Sequence, residues 1–167
     1  MRKTLAYLLF SIFFISCSNP SNKKIETTYS DNVTAVESDD LNMNVAIVKA
    51  KGSFRDFDTA FKNGHFDTSE FSIKVRFDVD AGGEHIWTNS IRFENGHYYG
   101  TVNEDAEATD KVKQGDRVRI TTDNLSDWMY NDNGVLRGGY TIKVLRNKMT
   151  PGERASFDSS FYLRIID

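Results

Sequence analysis

The chain has 167 residues with 21 Lys and Arg against 24 Asp and Glu, a formal net charge of −3. That length suits one domain with appendages and a single core, and no cluster of basic residues marks a nucleic-acid partner. A lone cysteine excludes an intramolecular disulfide.

Met1-Arg2-Lys3 is positively charged, and Leu5 to Ile15 is an apolar run of 11 residues. A membrane-spanning helix needs about 20, so the run reads as the core of a signal peptide. Phe14-Ile15-Ser16-Cys17 then resembles a lipobox, in a loose form with a small residue before the cysteine. The resemblance implies cleavage after Ser16, a diacylglyceryl group on Cys17 and acylation of the new amino terminus. The alternative is a plain secreted protein with a stray thiol. Losing Arg2 and Lys3 takes the charge from −3 to −5. Ser18 after the cysteine resembles outer-membrane sorting, and the absence of an acidic cluster behind it favours the periplasmic face. Residues 1–16 are thus expected as signal peptide. Residues 17–40, rich in Ser, Asn, Thr and Asp, are expected as a flexible tether, and 41–167 as one domain.

Met43, Ile47, Ala50, Phe54, Phe57 and Phe61 recur at helical spacing, predicting one amphipathic helix. Asp40 or Asn42 caps its start, Asn63-Gly64 stops it, and Gly52 marks a close approach to the sheet. Phe71 to Val79 alternates apolar and polar residues, as a half-buried strand does. A second strand from Glu84 to Glu94 carries His85, Trp87, Asn89, Ile91 and Phe93 on one face. Asn95-Gly96 turns the chain into a third strand, from His97 to Asn103, completing an antiparallel meander. Glu104 to Gln114 reads as a loop or short helix over one end of the sheet, and Arg117 to Thr122 as a further strand. Trp128-Met129-Tyr130 is expected to pair with a strand from Tyr140 to Leu145 across Asp132-Asn133-Gly134. Thr150-Pro151 opens a short helix, and the tail from Phe161 to Ile166 is too apolar to dangle. The expected fold is α+β: an antiparallel sheet of five or six strands, one amphipathic amino-terminal helix and a short carboxy-terminal one.

Phe71-Ser72-Ile73-Lys74-Val75-Arg76-Phe77, Glu84-His85-Ile86-Trp87, Gly100 with Asn103, Gly115-Asp116, Ser126-Asp127-Trp128-Met129-Tyr130 and Gly138-Gly139-Tyr140-Thr141 occur in that order. Together they resemble the bacterial domain-of-unknown-function family 2314 over residues 42–149. The resemblance implies a small bacterial domain, in some members exported, with no established activity. Members often carry proline after the asparagine matching Asn103; here Glu104 follows.

Glu84, His85, Trp87, Asn103, Asp127, Trp128, Tyr130 and Tyr140 form the candidate ligand cleft, walled by Trp87 and Trp128. No residue is assigned as catalytic, and no histidine or cysteine spacing marks a metal site or cofactor. If His85 and Asp127 met, a carboxylate would orient the imidazole for acid–base work; the structural alternative has Asp127 accepting backbone amides in a turn. The expected function is a non-enzymatic envelope binding module anchored to the membrane through Cys17. An enzyme using His85 and Asp127, or a protective or inhibitory lipoprotein that binds another protein, are the alternatives.

Overall fold

The computed structural model describes residues 40–64, 67–80 and 82–166. The expected signal peptide, the tether as far as residue 39, Cys17 and His65 lie outside the described residues. Two helices, α1 (Leu41–Gly52) and α2 (Phe54–Lys62), precede six strands. These are β1 (Phe71–Val79), β2 (Gly82–Glu94), β3 (His97–Val102), β4 (Arg117–Ile120), β5 (Leu125–Asp132) and β6 (Val135–Gly138). Two more helices, α3 (Tyr140–Lys148) and α4 (Pro151–Ser160), close the chain. The strands form one antiparallel sheet in the order β4-β3-β2-β1-β5-β6, so the class is α+β.

The expected amino-terminal helix is two. Asp40 caps α1 by accepting the amides of Asn42 and Met43, but the helical ladder breaks at Ser53, whose hydroxyl donates back to the Lys49 carbonyl at 2.8 Å. Gly52 is exposed with open space around its Cα. It therefore ends a helix instead of approaching the sheet. Gly64, at φ +65°, supplies the predicted left-handed stop after α2.

Residues directly opposite one another in the ladder point to the same face. Phe71, Ile73, Val75, Ile91, Tyr98, Ile120, Leu125 and Trp128 accordingly project to the helix side and pack with Ala50, Phe57 and Ala60. Phe57 sits at the centre, edge-on to Phe71, Tyr98 and Trp128. The Trp128 indole donates to the Ala50 carbonyl at 2.9 Å, tying β5 to the end of α1. At the other end of the same face, Ile86, Val102 and Val112 form a second cluster. Over it lies the connection between β3 and β4, held by the buried Glu84 carboxylate, which accepts the amides of Glu107 (2.6 Å), Ala108 (3.0 Å) and Thr109 (2.9 Å).

β2 departs from the expected parity. Ser90 adopts φ +48°, and the register with β3 shifts between Asn89 and Arg92. Such a bulge inserts one unpaired residue and reverses the facing of everything beyond it. His85, Trp87 and Asn89 therefore lie on the sheet face opposite the Phe57 core, the face that carries Lys74 and Asp127, whereas Ile91 and Phe93 lie on the core face.

Beyond β5 the predicted strand partner is displaced. β6, not the segment from Tyr140 to Leu145, pairs with β5. Gly138 (φ +73°) and Gly139 (φ +62°) turn the chain off the sheet, and Tyr140–Lys148 coils into α3. α4 begins with a full capping box between Thr150 and Glu153. The tail lies along β6: the Leu136 amide donates to the Arg164 carbonyl, and the Arg164 amide to the Gly134 carbonyl.

Candidate functional site

Asp127 is fully buried on β5. Its carboxylate accepts the amides of Trp128 (2.8 Å), Tyr140 (3.2 Å) and Thr141 (2.7 Å), and the Thr141 hydroxyl at 2.7 Å. α3 starts on a glycine with no side chain of its own to cap it. Asp127 fills that role from a strand 13 residues upstream, placing negative charge against the positive end of the helix. Burial pushes this carboxyl above the usual range, while the Thr141 and Trp128 donors and the charge of Lys74 pull it down.

In register, Trp87 on β2, Lys74 on β1 and Asp127 on β5 make a row across three strands, and Arg76 faces His85 in the next rank. Lys74 is only 7% exposed, and its ammonium lies 5.5 Å from the Trp87 ring centroid. Burial lowers its pKa, while Asp127 and Glu104 act to raise it. Sequence reasoning missed Lys74, because a charged residue at an alternating strand position reads as solvated. Its only prior signal is its place between apolar neighbours in the middle strand.

His85 is not among the donors to Asp127, so the imidazole–carboxylate pair that acid–base chemistry would need is not assembled. Burial, with Lys74, Arg76 and Lys51 adding positive charge, lowers the His85 pKa from 6.5 to about 4. The folded state thus resists the proton that the unfolded chain accepts. Stability is full above pH 6.5 and falls as the pH drops toward 4. One pKa unit is worth about 1.4 kcal/mol; with solvent screening at this partly exposed ring, the expected loss is about 2 kcal/mol. Chemical denaturation at a series of pH values should show that slope, and His85→Gln should flatten it. An unchanged slope in the variant would place the titration elsewhere.

Trp87 and Trp128 do not wall one cleft. Trp87 stands opposite Lys74 and Trp128 opposite Ile73, adjacent β1 positions that face opposite ways. Trp128 is 2% exposed and belongs to the core. The candidate residues divide accordingly. His85 and Trp87 lie on the face opposite the Phe57 core, where the Asn103 side-chain oxygen accepts from Asn89 at 2.6 Å and the Asn103 backbone amide donates to the Trp87 carbonyl. Glu84 is committed to the β3–β4 connection.

Trp128, Tyr130 and Tyr140 meet instead at a hollow of about 520 Å³ between β5, β6 and α3, with Leu136, Gly138 and Ile166 also in its wall. Trp128 and Tyr130 stack at 6.1 Å and 13°, and Tyr140 stands edge-on to Trp128 at 5.8 Å and 77°. Tyr130 is backed in turn by Phe71, stacked at 5.0 Å. Charges of both signs ring this floor: Asp56, Asp132, Arg137 and Lys143, with Arg137 and Asp132 paired at 2.7 Å. These four were not legible as site residues, since they come from α2, β5, β6 and α3 and share no motif. Asp127 serves the hollow indirectly by holding the first turn of α3, and hence Tyr140, in place. The arrangement offers aromatic surface with polar groups at its edge, as ligand pockets do.

Residues 40–164 match the family described as an uncharacterized protein conserved in bacteria (DUF2314). Over 93 residues the chain is 37% identical to a Neisseria meningitidis serogroup B protein named for ankyrin repeats, covering 53% of this chain and 37% of that protein. Over 79 residues it is 30% identical to the uncharacterized protein YegJ of Escherichia coli K12, covering 47% of this chain and 52% of that one. The chain thus spans about half or less of the length of these relatives. No solved structure matches.

Proposed function

We propose, from the premise that the chain belongs to the DUF2314 family of uncharacterized bacterial proteins, that it is a non-enzymatic binding module of the cell envelope. It is tethered through a lipidated Cys17 to the periplasmic face of the outer membrane. The observation that carries the binding reading is the hollow at β5, β6 and α3, where three aromatic rings converge within a mixed-charge rim. The ligand it suits is an envelope peptide or glycan that lays an apolar face on Tyr130 and Tyr140 and presents polar groups to Arg137, Lys143 and Asp56. Against acid–base catalysis stands the use of Asp127 as a helix cap.

Soluble cell-wall fragments, separated into peptide and glycan fractions, should change the intrinsic fluorescence of the purified chain, since Trp128 lies at the floor. Trp87→Phe should keep that response. Tyr140→Ala or Lys143→Glu should weaken binding about tenfold, the effect of losing about 1.4 kcal/mol. Binding that both variants retain at wild-type strength would move the site elsewhere. Separately, Cys17→Ala should abolish partitioning into membranes; unchanged partitioning would overturn the anchor.

A further inference from the structure

Helix α1 is apolar on two opposite sides. At 100° per residue, Met43, Ala46 and Ala50 fall within about 60° of arc, and Leu41, Val45 and Val48 within another 60° directly across the axis. The first three are buried. The second three are 74%, 44% and 69% exposed. A helix hydrophobic on both sides belongs in an interior or against another surface, and the fold supplies cover for only one.

We infer that the outer stripe of α1, Leu41, Val45 and Val48, docks onto the lipid bilayer that carries the Cys17 anchor. The inference rests on the lipidation reading made above. Three features select lipid as the occupant. The stripe begins one residue after Asp40, at the end of the domain nearest the anchor, with 22 residues from Ser18 to Asp39 between. Twenty-two residues reach at most about 75 Å even fully extended, so a chain anchored at Cys17 holds the stripe within that distance of the surface. Residues 41–52 carry Lys49 and Lys51 and no acid, although the whole chain is net negative; both lysines are exposed beside the stripe, with the Lys51 ammonium also donating to the Asp123 carbonyl at 2.9 Å. That charge complements anionic headgroups. Finally, three aliphatic side chains bind a bilayer only weakly by themselves, and a weak second contact that acts once an acyl anchor is in place is how two-signal membrane attachment operates.

The test couples the chain from Cys17 onward, which keeps every described residue, through the Cys17 thiol to a maleimide phospholipid. The vesicles contain phosphatidylethanolamine and phosphatidylglycerol with brominated acyl chains. In Val48→Trp, emission beyond the wild-type background should fall about twofold or more. Adding Leu41→Ser and Val45→Ser, exposed positions that leave the core intact, should abolish that quenching. Vesicles of phosphatidylcholine alone should quench less. A Val48→Trp signal that stays unquenched on the coupled chain would overturn the inference, as would a stripe occupied by a second copy, seen as concentration-dependent sedimentation that the serine substitutions remove. Native acylation is read independently, from the mass of the Cys17 peptide released from host membranes. Its absence would sink the anchor without touching the quenching result.

Discussion

Asp127→Ala should cost about 4 kcal/mol of folding stability, seen as a lower urea midpoint at unchanged m. The substitution strands four donors in a buried space, the amides of Trp128, Tyr140 and Thr141 and the Thr141 hydroxyl. Each unsatisfied group costs about 1–3 kcal/mol, though water entering the gap recovers part of the total. Asp127→Asn should cost about half as much, since its amide oxygen still accepts while its NH₂ opposes the remaining donors. Thr141→Val removes one donor and should cost about 1 kcal/mol. The double variant Asp127→Ala/Thr141→Val should lose less than the sum of the two, because one acceptor serves both groups. An Asp127→Ala protein within 1 kcal/mol of wild type would show that α3 does not depend on this cap.

Gly138→Ala should be comparably damaging, at about 3–5 kcal/mol. A Cβ there would lie 2.2 Å from the Trp128 carbonyl oxygen and 2.5 and 2.7 Å from two atoms of its ring, at a φ of +73°. Backbone strain and steric overlap are separable by comparison with Gly134, which has φ +82° but open space. Gly134→Ala should lose only about 1–2 kcal/mol, the strain alone. In Gly138→Ala the displaced indole should also lose its bond to Ala50, changing the near-ultraviolet circular dichroism of the tryptophans. Equal costs at the two glycines would mean that the contact with Trp128 relaxes freely.

Most of the sheet was legible in the sequence because one-sided burial writes a period of two into each strand. β1 and the Asn95-Gly96 hairpin carry that pattern directly, and the Thr150-Pro151 cap marks α4 equally well. Where prediction failed, a contact distant in sequence decided the outcome. Thr141, Ile142 and Val144 favour strand locally, yet a carboxylate from β5 and two left-handed glycines make the segment helical. Ser90 gives no hint in its own identity that it will bulge, so the faces of β2 were assigned wrongly beyond it. The candidate set includes Trp128, Tyr130 and Tyr140, which the structure brings together at one hollow. It failed to foresee that Trp87 would point away from them, since strand parity between non-neighbours in sequence is set only by register.

The carboxy-terminal tail has a role beyond packing. A sheet invites a foreign strand wherever its outermost backbone groups lack partners. Here one margin is occupied by Arg164, bonded to Gly134 and Leu136, and the opposite margin, β4, is four residues long with Arg117 and Arg119 in it. Both borders therefore oppose the addition of a further strand, and with it the edge-to-edge growth of the sheet from one copy to the next.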